Sequence, residues 1–253
     1  MFKRQAVWAV LLPAVAGNVL LASVIRPSQT EFRHLYALPS NGRVVIENAY
    51  GDVSITGWDR DEVLVEATTR STDAKSLGDA LVVVEPSAEL LSIHTQYAGS
   101  QSRQPASVEY RITVPRGVNL QEIKLTNGGL SLNGLAGPVK ASAVNGSITA
   151  LQLGGQADLS TINGGVVASF QSVSRANPIS LTSVNGAIRL SIPHAAGPAL
   201  TASNLSGGIA SDIGRVSRTG HGERLVVKGS GVQIRLRNVN GGIAIHFHQH
   251  PWT

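Results

Sequence analysis

The chain has no cysteine, one methionine and an aromatic share of 4% in 253 residues. Without cysteine there is no disulfide, no Cys-ligated metal centre and no thiol for a lipid anchor. With so few aromatics, and none interleaved among the arginines, stacking on bases is excluded and nucleic acid is not an expected partner. Acid is scarce in one half of the chain. Residues 127–253 hold nine basic side chains but only Asp158, Asp212 and Glu223 as acids, whereas residues 26–126 hold ten basic and thirteen acidic ones. No two of those three acids share a position of the repeat described below, so the carboxylate pair of a glycosidase or lyase is missing. A G-x-S-x-G elbow, a Walker loop and a dinucleotide fingerprint are also missing. The expectation is a non-enzymatic protein with no cofactor and no metal.

What is abundant is aliphatic side chains and glycine: 42% of residues are hydrophobic and 27 are glycine. Such a core rests on Val, Ile, Leu and Ala, which suit closely layered strands. The first 25 residues stand apart. Lys3 and Arg4 precede "AVWAVLLPAVAGNVLLASVI", a run without charge that Arg26-Pro27 closes. This reads as a signal peptide or as a membrane anchor through residues 6–25, followed by a linker over 26–40. The protein is therefore expected to be exported, to the periplasm or cell surface, and to meet the membrane only through this segment.

A repeat organises the rest. With Asn127, Asn145, Asn163, Asn185, Ser206 and Asn240 as position 0, glycine always follows, and position +3 reads Leu130, Ile148, Val166, Ile188, Ile209 and Ile243. Position −4 reads Ile123, Ala141, Leu159, Leu181, Ala202 and Leu236, and position −6 is apolar except at Gln121. Position −1, at Thr126, Val144, Ile162, Val184, Leu205 and Val239, is also largely aliphatic. Steps of two signify strand. The odd step from −4 to −1 implies a bulge or bend that turns an aliphatic −1 inward, with positive φ at glycines such as Gly146 and Gly164. Successive turns 18, 18, 22 and 21 residues apart suggest a β-solenoid of stacked coils, with the turn asparagines as an amide ladder. Glu122, Lys140 and Asp158, at position −5, alternate in sign as neighbours on successive coils would. An antiparallel β-sandwich is the alternative, because Asn-Gly is also the strongest short hairpin signal.

The motif occurs once upstream, where Val44, Ile46, Ala49, Gly51, Val53 and Ile55 take the same places. Residues 41–126 thus read as an irregular β section capping the solenoid. It includes a short helix or loop near 71–80 and a polar loop at 98–106. The repeat region, 127–253, carries an interruption near 212–230.

"RVVIENAYGDVSITGWDRDEVLVEATTR" and "YRITVPRGVNLQEIKLTNGGLSLNGLAGPVKASAVNGSITA", with the Asn-Gly units that follow, resemble the bacterial putative-adhesin β-solenoid family. The most specific piece is the entry Val114, Pro115, Gly117 and Val118. The resemblance spans about residues 40–245. It implies an exported all-β solenoid without established activity, and it brings no catalytic residues with it.

Three clusters are candidate sites. Arg215, Arg218, Arg224, Lys228, Arg235 and Arg237 concentrate positive charge and could hold an anionic glycan or another acidic cell-surface component. Arg235 and Arg237, two apart on a strand, should leave one outer face together, near the others. His246, His248 and His250 alternate at the C-terminus, too widely spaced along a strand for ready chelation of one ion. Asp52, Asp59, Asp61 and Glu62, beside Trp58 and Arg60, read as a turn. Function is therefore expected in display: a Ser/Thr/Asn-covered surface for adhesion or envelope assembly, with self-association through open solenoid ends. An acidic-polysaccharide-binding module or a carbohydrate-active enzyme is the alternative.

Overall fold

The computed structural model describes residues 28–71, 74–98, 106–194, 197–220 and 222–248. The apolar run at 6–25, most of the polar loop at 98–106 and His250 lie outside this set. Among the described residues no helix is long and apolar enough to cross a membrane.

The period-two patterning appears as strands throughout. The opening section comprises β1 (Ser28–Ala37), β2 (Arg43–Tyr50), β3 (Val53–Trp58), β4 (Glu62–Ser71), β5 (Ala80–Pro86), β6 (Leu90–Tyr97) and β7 (Ser107–Pro115). A 3-10 turn at Ala74–Asp79 fills the stretch read as a short helix or loop. Regular units follow in pairs: β8 (Asn119–Asn127) with β9 (Leu130–Asn133), β10 (Val139–Asn145) with β11 (Ile148–Leu153), β12 (Ala157–Asn163) with β13 (Val166–Phe170), and β14 (Ile179–Asn185) with β15 (Ile188–Pro193). The last part contains β16 (Ala199–Ser206), β17 (Ile209–Ser211), β18 (Val216–Thr219), β19 (Gly222–Val227), β20 (Gln233–Asn240) and β21 (Ile243–His248).

These strands form two large mixed sheets around one apolar core. Sheet I has the order β1-β4-β7-β3-β9-β11-β13-β15-β21-β17, and sheet II the order β18-β19-β16-β20-β14-β12-β10-β8-β2-β6-β5. Each Asn-Gly passes the chain from sheet II to sheet I. Equivalent strands pair in parallel and in register, so that Leu130, Ile148, Val166, Ile188, Ile243 and Ile209 make one buried row. Two large sheets over one core are sandwich-like, as the alternative reading expected, and antiparallel pairing within them lies at the ends: β1 with β4, β4 with β7 and β5 with β6 at one, β16 with β19 and β18 with β19 at the other.

The turn differs from the sequence expectation in two ways. The inward position is −2, not −1: Ala143, Thr161, Ser183, Asn204 and Asn238 are buried, while Val144, Ile162 and Leu205 are exposed. The strand simply continues in alternation to the asparagine, and the bend falls on the glycine. Gly146 and Gly164 also lack a positive φ. They are glycine because a Cβ there would stand 1.8 Å from the carbonyl oxygen of Gly128 and 2.2 Å from that of Gly146. Close stacking of one turn on the next excludes any side chain. The amide ladder forms as expected: Asn145, Asn163 and Asn185 each donate Nδ2 to the Oδ1 of the previous asparagine, and Asn240 donates to Asn185, at 2.8–2.9 Å. Gln121, the exception at −6, lies at a bulge where Leu120 takes its place opposite Val139.

Spatial order also departs from chain order. The unit of β20 and β21 sits between that of β14 and β15 and that of β16 and β17. The interruption near 212–230 is the hairpin of β18 and β19, which covers the free edge of β16.

Candidate functional site

Alternation decides what the outer face of sheet II presents. Inward Ile234, Leu236 and Leu225 are buried, so Arg235, Arg237 and Arg224 point out. Register then sets their spacing. Arg237, Ser203 and Arg224 lie in one row across β20, β16 and β19, and Arg235, Thr201 and Val226 lie in the next. The two outer arginines of the first row are two strand spacings, about 9.6 Å, apart at the backbone. Among the described residues none of these three arginines has a carboxylate partner, so their charge is not cancelled locally.

Of the six candidate residues, Lys228 and Arg235 line an open groove of about 530 Å³ at the start of β12, β14, β20 and β16. Its polar wall is Gln156, Asp158, Ser180, Thr201 and Gln233. Arg224 and Arg237 stand beside it on the same face. Arg218 does not join them. Its register partner is Glu223, on the side of the hairpin opposite Arg224, and its Nε donates to Glu223 Oε1 at 2.9 Å. Arg215 is exposed in the segment leading into β18. Glu223 itself caps the sheet edge: its Oε2 accepts the Ile209 N–H at 2.7 Å. That bond, then Arg218, holds its carboxyl below the usual carboxylate range.

The other clusters resolve into local structure. Asp59 pairs with Arg116, Trp58 donates Nε1 to the Glu62 carbonyl, and Arg60 lies over the Trp58 ring, which together make a turn between β3 and β4. His246 Nδ1 is 3.6 Å from Asp212, while His248 Nε2 is 3.2 Å from the Phe170 carbonyl. Among the described residues no group of three His, Asp or Glu could hold a metal ion. Lys140 and Asp158 are register partners, as their alternating signs suggested. At the opposite end a buried network joins Asn48, Thr95 and Tyr110, and burial pushes the Tyr110 hydroxyl up to about 12.

Sequence reasoning missed two sets of residues in sheet II, one outside and one inside. One is the outward aliphatic column at −1, whose hydrophobicity argued for the inside. The other is the buried −2 column, where Thr161 Oγ1 donates to the Gly146 carbonyl, Ser183 Oγ to Gly164, Asn238 Nδ2 to Gly186 and Asn204 Nδ2 to Gly241. Its run of small polar residues was a legible signal.

No family model matches the sequence, and no curated protein matches it. The fold is similar to that of the crystal structure of a "putative cell adhesion protein" from Clostridium sporogenes, at 11% identity and a TM-score of 0.51 over 88% of this chain and 100% of that one. A "putative adhesin" from Parabacteroides merdae aligns at 11% identity and a TM-score of 0.39, over 86% of this chain and 96% of that one. One from Bacteroides fragilis aligns at 13% and 0.35, over 87% and 98%. At such identities the first of these likenesses speaks to the fold alone.

Proposed function

We propose that this chain is an exported, non-enzymatic β-solenoid of adhesin-like fold that displays the outer face of sheet II for attachment or envelope assembly, and that it holds an anionic glycan there. The carrying observation is the groove at Lys228 and Arg235. Two cations without a carboxylate partner among the described residues stand over a wall of amides and hydroxyls, Gln156, Gln233, Ser180 and Thr201. Acidic groups of a sulfated or uronic sugar meet the cations, and its hydroxyls meet the wall. Export rests on the apolar run at 6–25, and the adhesin-like fold on the likeness to the Clostridium structure. Cleavage is disfavoured because Asp158 is the one carboxylate lining the groove, and acid–base cleavage of a glycosidic bond uses two. End-to-end stacking of further parallel units on sheet II is disfavoured because β19 and β5 pair antiparallel where such units would join.

The test is retention of the full chain on an immobilised acidic glycan at low and moderate salt. Retention should fall steeply with salt and drop at least tenfold in Lys228→Ala/Arg235→Ala. Retention indifferent to both would end the proposal.

A further inference from the structure

The same end of sheet II carries a second feature, which overlaps the glycan groove at Arg235, Thr201 and Val226 and extends beyond it. The outward positions of β20, β16 and β19 are Arg235, Arg237 and Val239; Thr201, Ser203 and Leu205; and Arg224 and Val226. Read across the strands, a row of arginines lies between an aliphatic edge at Leu205 and Val239 and another aliphatic side chain, Val226. Leu205 is 57% exposed and Val226 50% exposed. The Leu205 edge continues as a column through Val184, Ile162 and Val144, the latter two 46% and 39% exposed. Four strand spacings make it about 19 Å long. The solvent face of a sheet ordinarily alternates to polar residues, so an aliphatic outward column repeated in five units needs a partner.

The chemistry of that partner follows from what lies beside the column. Glu223 is turned to the other side of the hairpin, held by Ile209 and Arg218, and Asp158 stands two strands beyond β20. Arg224, Arg235 and Arg237 therefore give this end of the face one sign. A surface that takes guanidinium groups on phosphates and short aliphatic side chains just beneath them, over a broad area, is a bilayer with acidic headgroups. We propose that the outer face of sheet II, at its β20-β16-β19 end, docks on an anionic lipid bilayer through Arg224, Arg237, Leu205 and Val226. This contact is distinct from the apolar run at 6–25 and shares only Val226 with the lining of the glycan groove.

The absence of cysteine provides a clean test. In the full chain, Leu205→Cys or Val226→Cys is labelled with an environment-sensitive fluorophore, with Leu81→Cys on β5, at the far end of the same sheet, as reference. So that any partitioning of the apolar run at 6–25 does not count as docking, the readout is the local emission of the probe rather than co-sedimentation. Emission should shift to the blue at 205 and 226, not at 81, on vesicles of phosphatidylcholine with phosphatidylglycerol. It should not shift on phosphatidylcholine alone. High salt should reverse it, and Arg224→Ala/Arg237→Ala should raise the lipid concentration needed about thirty-fold. Any of four results overturns the proposal: no shift, an equal shift on neutral vesicles, an equal shift at 81, or a shift that survives the double arginine change. A shift without vesicles that grows with protein concentration overturns it in favour of a second copy of the chain. The glycan assay separates the two readings, because Leu205→Ser/Val239→Ser, at two neighbouring positions outside the groove, should abolish docking and leave glycan retention unchanged.

Discussion

The middle of the molecule and its two ends solve the same stacking problem differently. From β8 to β15 each unit pairs with the next one in sequence, so every new strand finds its partner about twenty residues back. At the ends this rule fails. The unit of β20 and β21 enters between two earlier units, and at the other end β7 and β6 lie outside β3 and β2. Both outermost units are then closed on at least one sheet by antiparallel strands. Parallel, in-register pairing is favourable wherever a neighbour exists on each side, but it leaves the last strand with bare backbone groups. Antiparallel strands from the same chain cover the edge of the repeat and put β1, β5 or β18 at the margin in its place, and the doubling back is what brings them there.

The strongest way to break this comparison is to delete residues 233–253. β17 pairs only with β21, and β16 would keep only its antiparallel partner β19. Residues 199–227 should lose nearly all amide protection in hydrogen exchange, while residues 119–170 keep theirs, because stacked units depend mainly on immediate neighbours. Uniform loss along the whole chain would mean that the ends hold up the middle.

A sharper cut uses glycine. Gly146, in the middle, sits under the carbonyl of Gly128 with no room for a methyl group, whereas a Cβ at Gly220, in the hairpin turn, would meet nothing within 4 Å. Gly146→Ala should cost about 3 kcal/mol, since the backbone of two units must separate to admit it. Gly220→Ala should stay within about 0.5 kcal/mol of the parent. Urea denaturation of the two variants measures both, and equal losses would remove the stacking explanation for the repeated glycine.

How much of this could be read from the sequence depends on where the side-chain period holds. The columns at −6, −4 and +3 obey period two, and they gave the strands, their inward faces and the spacing of units. Position −1 misled because the usual sorting is reversed at the corner: Ile162 and Leu205 are outside, while Thr161 and Asn204 are inside. The stacked glycine carbonyls point into that corner and need donors, a demand that hydrophobicity does not register. The interposed unit was illegible for another reason. Ile209 and Ile243 are interchangeable in shape, so nothing local says which should lie on Ile188. At the site, Arg235 and Arg237 could be placed by alternation, but Arg218 and Arg224 stand on opposite sides of a tight hairpin whose register only the fold sets.

The finest distinction between middle and end lies in the buried −2 column. Thr161 and Ser183 each meet a stacked carbonyl with a single hydroxyl, at 2.7 and 2.9 Å. Asn238 and Asn204 do so with an amide, at 2.9 and 2.6 Å, and each is left with a buried Oδ1 that has no hydrogen-bond partner among the described residues. Asn48, at the opposite end, avoids this because its Oδ1 accepts from Thr95 Oγ1. A buried acceptor left unpaired costs roughly 1–3 kcal/mol, while a side chain one heavy atom smaller gives up part of that gain in packing. Asn238→Thr keeps a donor for the Gly186 carbonyl, removes the orphan oxygen and adds a β-branched residue suited to the strand. It should therefore raise stability by about 0.5–1 kcal/mol, whereas Asn238→Ala, which loses the donor as well, should not. Thermal and urea unfolding of the two variants decide the point: if threonine is no better than alanine, the amide oxygen is not the liability and the two ends of the column are equivalent.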